Sequence, residues 1–144
     1  MGNRAVITTK EGFENQSQNV GVYLHWNGGR DSVEAFLKYC ELKGYRCPEN
    51  DNYGWASLVT VITNFFDCSG RSVGIDTVDR LDTDNYDNGV YIIEKWKIVD
   101  RKHFEGLEQN HYPLVDMVCA IDECMPKKSR IGEERIKEML QIVN

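Results

Sequence analysis

The order of local patterns in this chain predicts an α+β fold: a small, mainly antiparallel sheet of about four to five strands with about four helices packed on one face. Two observations carry this. Runs rich in β-branched residues come in pairs, separated by pairs of runs with helical spacing, in the order β-β-α-α-β-β-α-α. That order lacks the steady strand–helix alternation of a doubly wound parallel sheet. The second is size: 144 residues, 41% of them hydrophobic, describe one globular domain over residues 1–144 with a core of its own.

Residues 3–9 (NRAVITT) read as the first strand. Residues 10–19 are polar and include Gly12, which predicts a loop or hairpin connection. Residues 20–26 (VGVYLHW) form the second strand and run into Asn27, Gly28 and Gly29. The first helix covers 32–43, where Val33, Phe36, Leu37 and Cys40 recur at i, i+3, i+4 and i+7, and Gly44 suits its C-terminal end. Pro48, Asn50, Asp51 and Asn52 mark a loop. The second helix spans 55–66; its β-branched run at 59–63 favours a strand, but the stripe Trp55, Leu58, Val59, Ile62, Phe66 decides for helix.

A turn over 67–72 leads to a short strand at 73–76. Residues 76–88 are acidic and turn-rich, and 89–99 (GVYIIEKWKIV) alternate as one long strand or a bent pair. The third helix covers 113–125 with Leu114, Val118, Ile121 and Met125 inward and Pro113 in its first turn. Residues 126–129 break it, and 133–143 form the last helix, striped by Ile136, Met139, Leu140 and Val143.

Composition excludes several classes. No apolar run approaches the roughly 20 residues of a membrane span, and the N-terminus lacks the basic and apolar regions of a signal peptide. A cytoplasmic setting and no membrane partner are therefore expected. Gly2 is not read as a myristoylation site, because Val6 stands where that motif needs Ser or Thr. Five cysteines (Cys40, Cys47, Cys68, Cys119, Cys124) without C-x-x-C spacing read as structural thiols. A net charge of −6 argues against direct nucleic-acid binding and for a partner with a basic surface.

The stretch NGGRDS (27–32) sits between a strand and a helix. It resembles the S-G-G-x-D-S loop of pyrophosphatase-loop ATP enzymes, with Asn27 in place of the first Ser. That resemblance implies an ATP site in which Gly28 and Gly29 bring backbone amides to a phosphate and Arg30 adds a cation. Capping chemistry explains the same residues without a ligand: Asn27-Gly28 is a turn pair, Asp31 an N-cap, and Glu34 completes a capping box.

His25, His103 and His111 lack ligand spacing, so no metal or cofactor is expected. Asp76, Asp79, Asp82, Asp84 and Asp87 put five aspartates into residues 76–87, offset there only by Arg80. An EF-hand starting at Asp82 fails, since Tyr86, Asp87 and Ile93 fall at positions 5, 6 and 12. The stretch reads as a solvated turn, or as a set of spaced anions that imitates a phosphate backbone. Tyr53 and Tyr86, in polar loops, are candidates to stack on a base or to fill a partner's pocket, whereas Trp55 lies on an apolar face.

The N-terminal part also resembles a group of small phage and mobile-element proteins. These open on a strand like M-S-T-R-A-x-I, and their second strand ends in H-W-D-G-Y-P-E-G-V before a helix. The matching residues are Met1-Gly2-Asn3-Arg4-Ala5-Val6-Ile7 and His25-Trp26-Asn27-Gly28-Gly29-Arg30. Asn27, Gly29 and Arg30 depart from the group's Asp, Tyr and Pro. The resemblance implies an accessory protein acting in a bacterial host cell. Such a protein would neutralise a defence component, such as a CRISPR or restriction nuclease, or sequester a signalling nucleotide.

Two candidate surfaces follow. One is Arg4, His25, Trp26, Asn27, Gly28, Gly29 and Arg30, for a small nucleotide. The other is Asp76, Asp79, Asp82, Asp84, Tyr86 and Asp87, for a host protein. No nucleophile–base pair, metal set or complete cofactor motif supports catalysis, and self-association stays open.

Overall fold

Side chains along the central strands alternate between two faces, and both faces are buried. Ala5 and Ile7 on one strand, with Tyr91 and Ile93 on another, enter a large core. Val6, Val90 and Ile92 point the other way into a small one, with Phe13, Tyr23 and Leu81 packed against them. The computed structural model in which this is seen describes residues 2–67 and 72–143. Cys68 and most of the turn expected at 67–72 lie outside the described residues, as does the Val143 side chain.

The strands are β1 (Ala5–Thr9), β2 (Val20–Leu24), β3 (Val73–Thr77), β4 (Val90–Glu94) and β5 (Lys97–Lys102). They form one mixed sheet in the order β3-β2-β1-β4-β5. Three of the pairs are antiparallel; β1 and β4 run parallel, with Val6 opposite Val90 and Thr9 opposite Ile93. The helices are α1 (Lys10–Glu14), α2 (Arg30–Leu42), α3 (Asn52–Phe65), α4 (Leu114–Cys124) and α5 (Glu133–Val143). The four longer helices cover the large-core face, contributing Phe36, Ile62, Val118 and Ile136 among others. The chain is thus α+β, with a small sheet and about four substantial helices.

Three local expectations are corrected or narrowed. Part of the polar stretch 10–19 is helical: Thr9 Oγ1 accepts from Gly12 N at 3.0 Å, capping α1, and Phe13 packs on the smaller cluster. The alternating run 89–99 is not one long strand; of the two alternatives it is a pair of strands, folded back as a tight hairpin from β4 to β5 that turns at Lys95 and Trp96 with φ of 53° and 62°. Trp96 is buried there and its Nε1 donates to Tyr45 O at 2.9 Å. Finally, α2 begins at Arg30, two residues earlier than the expected start at 32. Gly29 is its N-cap, and Asp31 lies inside the first turn.

At the other end of α2 the expectation holds. Gly44 follows the last turn at φ 74°, the left-handed conformation that closes helices. Asp122 anchors α5 from below: its carboxylate accepts from Tyr39 Oη at 2.5 Å and from the Ile131 and Gly132 amides at 2.8 and 2.9 Å. Burial and the Asp122 partner push the Tyr39 phenol up, so it stays protonated as a donor.

Candidate functional site

The glycine corner is a packed junction. Gly28 and Gly29 are buried. Gly28 N donates to Asn3 O at 2.8 Å, and Gly28 O accepts from Tyr91 Oη at 2.7 Å. A Cβ on Gly28 would stand 2.4 Å from Asn3 O, so the close approach of two backbones requires glycine. Asn27 takes φ 57°, tolerable for Asn, and its Nδ2 donates to Ser32 Oγ at 3.2 Å.

No open space lies above Gly29. Gln109 rests on it, close enough that a Cβ would meet its Oε1 at 2.0 Å. Gln109 arrives on the irregular segment 103–113, which runs from β5 to α4. Asn3 and Gln109 exchange side-chain bonds of 2.9 and 3.1 Å. Asp31 Oδ2 accepts from the His111 and Tyr112 amides at 2.8 and 3.1 Å. Arg30 pairs with Glu34 at 2.6 Å and with Glu108 at 3.0 Å. The expected capping residue is therefore a clamp on a distant segment.

Arg4 belongs to the acidic loop as much as to the corner. Its Nε donates to Asp87 Oδ2 at 2.8 Å, its backbone N to the same oxygen at 3.0 Å, and Asp82 lies 3.7 Å from Nη1. The Arg4 guanidinium holds the Asp87 carboxyl below its usual range, with a smaller contribution from His25. His25 Nδ1 is hydrogen-bonded to Tyr23 Oη at 2.8 Å, and Trp26, 46% exposed, meets the His25 ring edge-on. Arg4, His25 and Asp87 thus join the two predicted surfaces at one end of the sheet, while Arg30 faces segment 103–113.

The loop itself is scaffolded from inside. Asn85 is buried and bonded four ways: Nδ2 donates to Asp82 O and Gly89 O, and Oδ1 accepts from Asp87 N and Gly89 N. Asn88, also buried, donates to Asn3 Oδ1 at 2.6 Å and Arg4 O at 3.1 Å. Asn85 does here what a ladder does in a sheet, satisfying loop backbone that is removed from water, while Asn88 ties the end of the loop to Asn3 and Arg4. Asp82 and Asp84 stay exposed, and Tyr86 stands 90% exposed at φ 63°. Asp76 lies on edge strand β3 opposite Gly21, and Asp79 in the turn 78–80; both are exposed.

Beside Tyr86 a groove of about 480 Å³ is lined by Asp84, Tyr86, Asp87, His103, Phe104 and Glu105. The last three belong to segment 103–113, which carried no motif in the sequence. Arg101 organises that segment: its guanidinium lies 3.9 Å from the centroids of both Tyr91 and Phe104 and pairs with Glu108. Nothing local in the sequence marked Arg101, Glu108 or Gln109 for this arrangement.

Of the four described cysteines, Cys40 is buried and the burial pushes its thiol up, as expected for an inert core residue. Among the described residues no helix is long and apolar enough to cross a membrane, and no group of three or more His, Cys, Asp and Glu is placed to hold a metal ion. Comparison with known protein families, with curated proteins and with solved structures finds no match to this chain.

Proposed function

We propose that this chain is a non-catalytic binding protein that docks its acidic loop onto a basic surface of a partner protein. The observation that carries the reading is the Asn85-stapled loop, which displays Asp82 and Asp84 and projects Tyr86 beside an acidic, aromatic groove. A pre-ordered loop loses little entropy on binding, so its charges and its aromatic ring act at full strength. An exposed tyrosine flanked by carboxylates suits a pocket rimmed by Lys and Arg, as found where proteins hold nucleic acid. The N-terminal resemblance to phage and mobile-element proteins directs the search for that partner to nucleic-acid-binding defence proteins of a bacterial host.

The test is capture from bacterial lysate by immobilised protein, with wild type and the D82K/D84K/Y86A variant side by side. The expected result is recovery of a heparin-binding protein that elutes with rising salt, is displaced by DNA, and is lost with the variant. Equal recovery by both proteins would sink the reading.

A further inference from the structure

Two arginines from different elements close on one carboxylate. Arg30, at the start of α2, donates from Nη1 to Glu108 Oε2 at 3.0 Å, and Arg101, in β5, donates from Nη1 to both Glu108 oxygens. Arg101 does not depend on Glu108 for its place. Its guanidinium is sandwiched by Tyr91 and Phe104, and Nη2 donates to Asn88 O at 2.7 Å. Its side chain is 12% exposed, and its buried Nε has no hydrogen-bond partner among the described residues. A guanidinium fixed in this way keeps its charge and its donor fork aimed at the same point when the carboxylate leaves.

Glu108 reaches that point on a separable flap, residues 107–112, which has no helix or strand. Gly106 precedes it at φ 103° with open space around its Cα, and Pro113, the N-cap of α4, follows it. Leu107 and Tyr112, its large apolar side chains, are 95% and 53% exposed. Lifting the flap therefore breaks polar bonds and uncovers little apolar surface, the signature of a low-cost local opening. What it would uncover is the Arg30–Arg101 pair and, where Gln109 sat, Gly29.

We infer that Arg30 and Arg101 form an oxyanion site that Glu108 occupies from within, and that an external phosphate- or carboxylate-type anion competes with the flap for it. A groove of about 400 Å³, lined by Arg30, Asp31, Glu34, Glu108, Gln109 and Tyr112 among others, reaches Arg30 and the Glu108 carboxylate that Arg30 shares with Arg101. With the flap closed, the carboxylates of that groove repel an anion. Apparent affinity is then reduced by the fraction of molecules that are open. This site is separate from the docking of the acidic loop, and either can fail without the other.

Isothermal calorimetry of wild type and the E108A variant with pyrophosphate, and separately with citrate, tests the competition. E108A is expected to bind one of them at least about tenfold more tightly than wild type, because its internal competitor is gone. The anion that binds tells phosphate from carboxylate. E108A/R30A is expected to lose the gain. In wild type, saturating anion should speed hydrogen exchange at the His111 and Tyr112 amides, which Asp31 holds only while the flap is closed. A folded E108A that binds neither anion overturns the inference and leaves a structural ion pair only; so does a gain that survives R30A. Should E108A not fold, Q109A loosens the flap with the ion pairs intact, and it must show both faster exchange and tighter binding, or the inference falls.

Discussion

At the glycine corner the chain removes side chains so that two backbones and a covering segment can meet; in the acidic loop it adds a side-chain amide, that of Asn85, so that loop backbone is satisfied from within. Gly28 sits against Asn3 and Gly29 under Gln109, whereas Asn85 bonds to the loop backbone from its inside, Asn88 ties the loop to Asn3 and Arg4, and Asp82 and Asp84 are left exposed. Both stretches are made of turn residues. The corner spends its polar groups on its own chain, and the loop leaves Asp82, Asp84 and Tyr86 to solvent. Turn composition by itself therefore does not separate a filled junction from a displayed surface.

Substitutions that treat the regions unequally sharpen this contrast. Gly28→Ala should have the largest effect, a loss of about 3 kcal/mol in urea unfolding, because its Cβ meets backbone atoms that cannot retreat. Gly29→Ala should cost clearly less, since its nearest neighbour is the Gln109 side chain, which can swing away. Equal losses would break the account of the corner. Asn85→Ala should cost about 2–3 kcal/mol, leaving the buried Gly89 amide unpaired. Tyr91→Phe should cost about 1–1.5 kcal/mol by orphaning Gly28 O.

Acid compares the two regions directly. Arg4 holds Asp87 below the usual carboxylate range. Burial pushes Glu108 up, but Arg101 and Arg30 outweigh it and hold it down as well. A carboxyl depressed in the folded state contributes stability above its unfolded pKa of about 4, and that contribution is lost as pH falls through the folded value. Urea midpoints should therefore drop below about pH 4, and the drop should shrink in both R4A and E108Q. A steep drop unchanged in either variant assigns the acid sensitivity elsewhere. The smallest effect is expected for D82N/D84N, within about 0.5 kcal/mol of wild type, since both side chains are solvent-exposed.

The helices were legible because their apolar residues repeat on the helical period: Val33, Phe36, Leu37 and Cys40 in α2, and Val118 and Ile121 in α4 with Met125 at its C-cap, are all buried. The five residues of α1 are too few to show a period and are helical through the Thr9 cap and the packing of Phe13. Asp31 illustrates the limit at the site. Asp followed by Glu34 reads locally as a cap, yet its carboxylate is used by amides of His111 and Tyr112, far along the chain. Arg4 was expected beside the corner and does lie near His25, but its partner is Asp87.

The amino-acid sequence by itself determined what acts within a few residues: helix stripes, strand alternation, the Gly44 stop and the acidity of residues 76–87. The tertiary structure alone decided which strands meet, including the parallel β1–β4 pair. It also decided that segment 103–113 would close the glycine corner through Glu108 and Gln109. The physical reason is range. Backbone preference and periodicity are local, while a carboxylate can satisfy any donor that folding brings within about 3 Å, and nothing in its own neighbourhood says which.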